Sequence, residues 1–160
     1  MKKILLILFS MFFMNIVGKA QNVDVTYKEN CPVIVPTAKT LKMLCKLSSN
    51  EFSTIMNKNG YQEDKEFSTH KYIAYTNGNL DPIMLNCFNT YYYNILNNSV
   101  ECMIAVDMVY PTNAITNLVN GIKNAYITTT SDGYDIFRDS ECVIAIRADD
   151  KYYRIVVKSR

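Results

Sequence analysis

The stretch from Tyr91 to Tyr110 constrains the fold more than any other, because its second half alternates strictly in polarity. Every second residue from position 100 is apolar, while the residues between them are mixed; the two series are Val100, Cys102, Ile104, Val106, Met108 and Tyr110, and Glu101, Met103, Ala105, Asp107 and Val109. Successive side chains of a β-strand point to opposite faces. The pattern predicts a strand with one buried face and one partly exposed face.

This strand is predicted to be the second arm of a hairpin. Asparagine tolerates positive φ, so Asn97-Asn98 can form the turn. That turn places Ile95 opposite Val100, whereas a turn one residue later places Ile95 opposite Cys102. The two registers differ by two residues, so odd-numbered residues from 91 to 95 face the apolar layer in both.

A second hairpin is predicted at the C-terminal end. With Asp149-Asp150 as its turn, Ile144 lies opposite Ile155 and Ile146 lies opposite Tyr153. One face of this hairpin is again apolar, as expected for strands that cover a core.

The strand before this hairpin can face either way. A two-residue loop at Asp139-Ser140 points Asp135 into the core, and a three-residue loop points Ile136 there. We expect Ile136 inside, because burying an unpaired carboxylate is costly.

Three segments have helical spacing. Apolar residues recur at intervals of three or four in Leu41, Leu44 and Cys45 after Thr37, in Phe52, Ile55 and Met56, and in Ile115, Leu118, Val119 and Ile122. Ser48 and Glu51 form a capping box between the first two segments, and Gly60 ends the second.

The order of these elements predicts the fold class. Residues 37–110 and 112–159 each carry a helical region followed by three strands, so we expect a single α+β domain over 37–160, made of two successive α-β-β-β units. Helices would cover one face of a roughly six-stranded antiparallel sheet, a two-layer layout similar to that of saddle-shaped tandem α+β binding folds. Residues 21–36, bounded by prolines, predict an extended N-terminal arm.

The N-terminal segment predicts export. Lys2-Lys3, the apolar run 4–17 and the small residues Gly18 and Ala20 form a signal peptide over residues 1–20. The apolar run is shorter than the ~20 residues that span a bilayer, so we expect cleavage after Ala20, no membrane span afterwards, and a secreted or periplasmic location.

Removal of this segment changes the charge. The chain has 17 basic and 15 acidic residues; three lysines and no acids lie in residues 1–20, which leaves 14 basic against 15 acidic residues. This balance leaves no excess of positive charge of the kind that nucleic-acid-binding proteins carry.

The five cysteines are expected to play structural roles. Cys102 and Cys142 lie on apolar strand faces, where a buried thiol acts as a small hydrophobe. Cys31, Cys45 and Cys87 are the candidates for a disulfide, with their pairing left open. The chain has no CxxC or Cys/His ligand spacing, so we predict no metal and no cofactor.

The catalytic motifs of the common hydrolase classes are missing from the sequence. His70 is the single histidine, and neither a nucleophile elbow nor a phosphate-binding loop occurs. We predict no catalytic residues. The alternative is a small extracytoplasmic hydrolase with a carboxylate-based site, which would need an acid in an apolar pocket.

The mixed face of the sheet is the candidate functional surface. It combines aromatic, apolar and arginine side chains, and the candidate residues are Tyr92, Met103, Ala105, Val143, Ala145, Arg147, Tyr152, Arg154 and Val156. The surface is expected to be bordered by charged residues, namely Glu101, Asp107, Arg147, Arg154 and Lys158. An apolar, aromatic centre with a charged rim is typical of protein interfaces. A protein, or a second copy of the chain, is the expected partner, and a glycan is a further candidate. Two alternatives would cover this face from within: the N-terminal arm, or helices divided between both sides of the sheet.

Overall fold

The computed structural model describes residues 22–28, 31–77, 89–105, 114–122, 126–130, 132–138, 140–148 and 152–160. These residues form three helices, α1 (Ala38–Leu44), α2 (Ser49–Lys58) and α3 (Ala114–Gly121). They also form ten strands: β1 (Val25–Lys28), β2 (Cys31–Ile34), β3 (Tyr61–Asp64), β4 (Tyr72–Asn77), β5 (Asn89–Asn94), β6 (Ser99–Ala105), β7 (Tyr126–Thr129), β8 (Asp135–Arg138), β9 (Cys142–Ala148) and β10 (Tyr152–Ser159).

Eight strands form one antiparallel sheet in the order β3-β4-β5-β6-β10-β9-β8-β7, and β1 pairs with β2 in a separate hairpin. The predicted α+β class, with helices and an antiparallel sheet, is confirmed, but the sheet is larger than the six strands expected. Each half of the chain is a meander of four strands, and the last strands of the two meanders, β6 and β10, meet in the middle. The two additional strands are the edges, β3 and β7.

The central hairpin keeps the predicted faces but shifts its register. Tyr91 pairs with Cys102 and Tyr93 with Val100, two residues away from the predicted pairing. The chain turns through residues 95–98, so Ile95 leaves the strand and is 44% exposed. The prediction that Ile95 faces the apolar layer is therefore wrong, because a four-residue turn replaces the two-residue turn.

The C-terminal hairpin also keeps its predicted faces while its register shifts. Ile146 pairs with Ile155 and Ile144 with Val157, again two residues from the predicted register with the faces unchanged. These four side chains lie in the core. A shift of two residues preserves the faces because side chains alternate with period two.

The two faces of strand β8 are the reverse of those predicted. Phe137 pairs with Ile144 and is buried, while Ile136 pairs with Ala145 on the other side of the sheet. The preference for Ile136 in the core was wrong. Arg138 pairs with Val143, so four residues separate this last cross-strand pair, an even number that reverses the faces expected from a three-residue loop. Asp135 stays exposed at the end of the strand.

Helices α1 and α2 begin, and α2 ends, where their capping residues predict. The Thr37 hydroxyl accepts a hydrogen bond from the Thr40 amide at 3.1 Å. The Ser48–Glu51 capping box is formed on both sides. Gly60 follows α2 with φ +80°, a left-handed conformation that glycine adopts without steric cost.

The helices and the N-terminal hairpin pack on the same side of the sheet. The Phe52 ring of α2 lies 5.6 Å from that of Tyr75 and 5.1 Å from that of Tyr93, measured between centroids. In the N-terminal hairpin, the Ile34 amide donates to the Tyr61 hydroxyl at 3.1 Å, and the Tyr91 hydroxyl donates to the Ile34 carbonyl at 3.0 Å. The predicted extended arm thus folds back as a hairpin against the core.

Three of the five cysteines are buried thiols. Cys102 and Cys142 lie on the core face of the sheet, as predicted, and Cys45 lies at the end of α1 with its Sγ 3.4 Å from the Lys42 carbonyl. Cys45, expected as a disulfide candidate, is therefore a core residue. Cys87 and the side chain of Cys31 lie outside the described residues.

Candidate functional site

The sheet face opposite the helices, here called the outer face, carries the residues singled out in the sequence. The strand registers place all nine on this face. Eight have half-buried side chains: Tyr92, Met103, Val143, Ala145, Arg147, Tyr152, Arg154 and Val156. Ala105 lies in β6 with its side chain outside the described part. Alternation along the strands thus brings the predicted residues together on one face.

One line of cross-strand neighbours crosses the whole outer face. It runs from β3 to β7 through Asp64, Ala74, Tyr92, Glu101, Val156, Ala145, Ile136 and Thr128. The part of this line that lies on β3 to β6 is largely buried, since Asp64 is 8%, Ala74 0% and Glu101 7% exposed.

An ion pair occupies the centre of the outer face. Arg154 Nε donates to Glu101 Oε1 at 2.5 Å, and Arg154 Nη2 donates to Glu101 Oε2 at 3.1 Å. The carboxylate is almost covered, whereas the arginine side chain is 37% exposed. The pKa of Arg154 is raised above its ordinary value, chiefly by its hydrogen bond to Glu101 and in spite of its burial. The guanidinium is thus a permanent charge held in one orientation.

Other basic side chains lie on the same half of the outer face. Arg147 stands directly opposite Arg154 across the β9–β10 ladder, and its Cζ lies 4.9 Å from the centre of the Tyr134 ring. At this distance the cation is attracted to the aromatic face. Arg138 and Lys158 are exposed. The half formed by β8, β9 and β10 is therefore basic.

The described part of the N-terminal arm does not cover the outer face. Ile34 is hydrogen-bonded to Tyr61 and Tyr91, whose rings lie on the helix side of the sheet. All three helices contribute to that same core, with Phe52 from α2 and Leu118 from α3. Among the described residues, neither alternative for covering the face from within holds.

The sequence patterns misplaced two charged residues of the outer face and did not identify two of its other members. Glu101 and Arg154 were expected at the border of the surface, yet they form its centre. Tyr134 and Ile136 also belong to it and were not predicted. The pairing of β6 with β10 would have revealed the ion pair, because it sets Glu101 opposite Val156, one diagonal step from Arg154. The sequence patterns do not say which two hairpins lie side by side.

The two charged groups at the centre of the outer face are paired with each other. Both oxygens of Glu101 are engaged by Arg154, which leaves neither available as a general base. In the described ranges, no group of three or more His, Cys, Asp or Glu side chains could hold a metal ion. No helix in that part of the chain has the length and apolar character needed to cross a membrane.

Comparison of the chain with protein-family models, with curated proteins and with solved structures finds no match in any of the three.

Proposed function

We propose that the protein is an exported, non-catalytic binding domain that recognises a protein partner, or a second copy of itself, through the outer face. The observation that supports this most is the central arginine. Two donors of the Arg154 guanidinium are fixed by buried Glu101, and the other donors have no hydrogen-bond partner among the described residues. A partly exposed arginine held in place loses little conformational freedom when it binds.

The surroundings of Arg154 match the composition of binding hot spots. Tyr134 and Tyr152 contribute to the raised pKa of Arg154, after its hydrogen bond to Glu101, and Met103 stands directly opposite Arg154 on β6. Arginine and tyrosine are the residues that most often dominate the energy of a protein interface. The half-buried Val156 adds apolar area beside them.

Export is proposed on the sequence of residues 1–20 alone. Purification of the protein from the producing cells and sequencing of its N-terminus tests it. A chain that starts at Gln21 supports the proposal, and a chain that keeps Lys2-Lys3 contradicts it.

The binding function is tested by two charge changes on the outer face. Tyr152→Glu with Val156→Lys places two charges on half-buried positions, which should weaken partner binding or self-association at least about tenfold. Sedimentation measures self-association, and capture from the culture medium followed by titration with the purified partner measures heterologous binding.

The matched control introduces the same charges elsewhere. Thr54→Glu with Asn57→Lys changes two exposed positions of α2, on the opposite side of the sheet. This variant should bind like the unmodified protein. Equal sedimentation and equal capture by the outer-face variant and the control would contradict the proposal.

A further inference from the structure

The cations of the outer face lie in two rows that run across strands β8, β9 and β10. The first cationic row consists of Arg138 and Lys158, which are both direct cross-strand neighbours of Val143. The two cations are exposed, and Val143 between them is half-buried. Neighbouring strands are about 4.8 Å apart, so the backbones of Arg138 and Lys158 are separated by roughly 10 Å. This row therefore presents two positive charges around an apolar residue.

The second cationic row consists of Arg147 and Arg154, which stand opposite each other. Arg147 lies over the ring of Tyr134, and Arg154 is held by Glu101 through Nε and Nη2. The other N–H groups of Arg154 have no hydrogen-bond partner among the described residues, and its side chain is 37% exposed. A guanidinium in this position can bind a second carboxylate.

An apolar row separates the two cationic rows. It consists of Ile136, Ala145 and Val156, which are cross-strand neighbours with half-buried side chains. Two residues along a strand span about 6.8 Å, so the cationic rows are roughly 13 Å apart. A ligand that fits this half of the outer face must offer negative groups on both sides of an apolar centre.

The described strands contain little negative charge to offset these cations. Within β8, β9 and β10, the four cations stand against one acid, Asp135. Asp135 pairs with the core residue Ile146, so its side chain leaves from the other side of the sheet. On the adjacent strand β6, Glu101 is 7% exposed and already paired with Arg154.

The acids that flank these strands in sequence belong to the connections at their ends. Glu141 precedes β9, and its carboxylate lies 3.7 Å from the amines of both Lys42 and Lys46, on the helix side of the sheet. Asp132 is exposed in the turn before β8. Outside the described residues lie Asp107, Asp139, Asp149 and Asp150. Within the described strands, the positive charge of this half is therefore balanced on the outer face by Glu101 alone.

We propose that the partner recognised by the outer face is a protein with an acidic surface, a proposal that rests on the binding function proposed above for this face. Carboxylates of the partner pair with Arg138, Arg154 and Lys158, and its apolar side chains cover Ile136 and Val156. Charge complementarity of this kind steers partners together and selects among them.

A second copy of the chain matches these rows poorly. Two basic halves placed face to face bring like charges together, which opposes association. Among its described residues, the other half of the outer face offers no exposed carboxylate, since Asp64 is 8% and Glu101 7% exposed. Glu63 is exposed but pairs with the core residue Tyr75, so it leaves from the other side of β3. The β3–β4 connection is not acidic either, because its charged side chains are Lys65, Glu66 and Lys71.

The apolar row favours a protein over a polyanion or a membrane. A phosphate or sulfate polymer offers negative charge without aliphatic side chains that could cover Ile136 and Val156. Apolar residues that bind membrane surfaces reach about 5–10 Å into the headgroup region. The aliphatic side chains of the apolar row are half-buried in the sheet, so they do not project in this way.

Carbodiimide crosslinking tests the chemistry of the contact. The reagent joins a lysine amine to a carboxylate that touches it, and it is added to the producing cells in their medium. We expect an amide between Lys158 and an aspartate or glutamate of one other protein, identified by mass spectrometry of the linked peptides. Lys58, an exposed lysine of α2, is the control and should not form it. No link at Lys158, the same link at both lysines, or links only to a second copy would overturn the proposal.

Binding of the purified crosslinked partner then tests the charges. Arg138→Glu with Lys158→Glu reverses two exposed charges and should raise the Kd at least about tenfold. Lys39→Glu with Lys58→Glu makes the same change in net charge at exposed positions of α1 and α2 and should leave the Kd unchanged. Equal Kd values for the two variants would overturn the proposal.

The dependence on salt provides a readout that altered folding would not imitate. An increase in NaCl from about 0.05 M to about 0.5 M screens the charges and should raise the Kd of the unmodified protein about tenfold. The Arg138→Glu with Lys158→Glu variant should lose most of this dependence, and the helix control should keep it. A Kd of the unmodified protein that does not change with salt would overturn the proposal.

Two further comparisons separate this inference from the proposed function. If Tyr152→Glu with Val156→Lys abolishes binding while Arg138→Glu with Lys158→Glu binds normally, the outer face is an interface and its acidic partner is wrong. If neither variant changes the Kd, both proposals fail. Duplex DNA, heparin and phosphatidylglycerol vesicles are the other probes. Their binding to the unmodified protein, lost in Arg138→Glu with Lys158→Glu and without a protein crosslink at Lys158, would overturn the acidic-protein proposal.

Discussion

Glu101 is the buried charge on which the outer face depends. A carboxylate that is 7% exposed has given up most of its hydration, and the two hydrogen bonds from Arg154 replace it. The two partners are not equivalent, because the arginine keeps contact with water. Removal of one partner should therefore cost more than removal of the other.

The asymmetry can be measured with leucine substitutions. Arg154→Leu leaves the covered carboxylate of Glu101 without its cation and should lower the free energy of unfolding by about 2–3 kcal/mol. Glu101→Leu leaves an arginine that water can reach and should cost about 1 kcal/mol. The double variant should be more stable than Arg154→Leu alone. Urea unfolding of the three proteins measures these differences, and equal losses in the two single variants would contradict the argument.

Burial also controls the chemistry of Cys102. The thiol is fully buried beneath the helices, and this desolvation raises its pKa well above the ordinary value. Because the thiolate is the reactive form, a raised pKa keeps the group protonated where ordinary thiols ionise.

Alkylation should therefore fail on the folded protein. At pH 9, above the ordinary thiol pKa of about 8.5, iodoacetamide should leave Cys102 unmodified in the native protein and modify it in 8 M urea. Mass spectrometry of the peptide that contains Cys102 gives the readout. Labelling in the native protein at the rate of a small-molecule thiol would contradict the burial argument.

At the scale of elements, side-chain alternation predicted the faces of the strands in the central and C-terminal hairpins but not that of β8, and capping residues predicted where α1 and α2 begin. The registers of these two hairpins were each two residues off; in the central hairpin the turn length depends on hydrogen bonds of Asn94 and Asn97 that polarity patterns do not reveal. The edge strands β3 and β7 were missed for a different reason. Each pairs on one side only, and β3 has two exposed residues between two buried ones, so its pattern resembles a loop.

The candidate site also has features that could be predicted from the sequence and features that could not. The face shared by the nine predicted residues follows from alternation within single strands. The Glu101–Arg154 pair follows from the pairing of β6 with β10, which joins distant parts of the chain. Local patterns contain the first kind of information and lack the second.

The close approach of the N-terminal hairpin to the turn between α2 and β3 can be tested with two glycines. Gly60 and Gly133 both have positive φ, +80° and +76°, but a Cβ at Gly60 would lie 2.9 Å from Pro32 Cγ, while one at Gly133 meets nothing within 4 Å. Gly133→Ala should cost about 1 kcal/mol for its backbone conformation. Gly60→Ala should cost about 1 kcal/mol more, because the β1–β2 hairpin must shift. Urea unfolding measures both variants. Equal losses of unfolding free energy in Gly60→Ala and Gly133→Ala would contradict this expectation, because they would show that Pro32 moves aside at no cost.

At the scale of the whole molecule, the two halves of the chain share one core. The β6–β10 ladder is centred on the pair Cys102–Ile155, and these residues, with Val100 and Val157, are fully buried. A boundary whose core face is fully buried should not open separately from the units that it joins.

Hydrogen exchange should report this shared core. Amides of β6 and β10 should exchange most slowly, those of the edge strands β3 and β7 first, and the two halves should show matching protection from the centre outwards. Mass spectrometry of peptides after exchange in deuterated water measures this order. Complete exchange of residues 126–159 while residues 61–105 stay protected would contradict the shared core.

The meeting of β6 with β10 has a consequence for how the chain acquires its shape during synthesis. Cys102 and Ile155 are 53 positions apart in sequence, so β6 gains its second neighbour only after nearly the whole polypeptide has left the ribosome. Until then, its unpaired backbone groups offer a docking edge to chaperones or to other nascent chains. A premature stop before Tyr152 would thus remove the strand in the middle of the sheet, and the resulting fragment should be prone to aggregation.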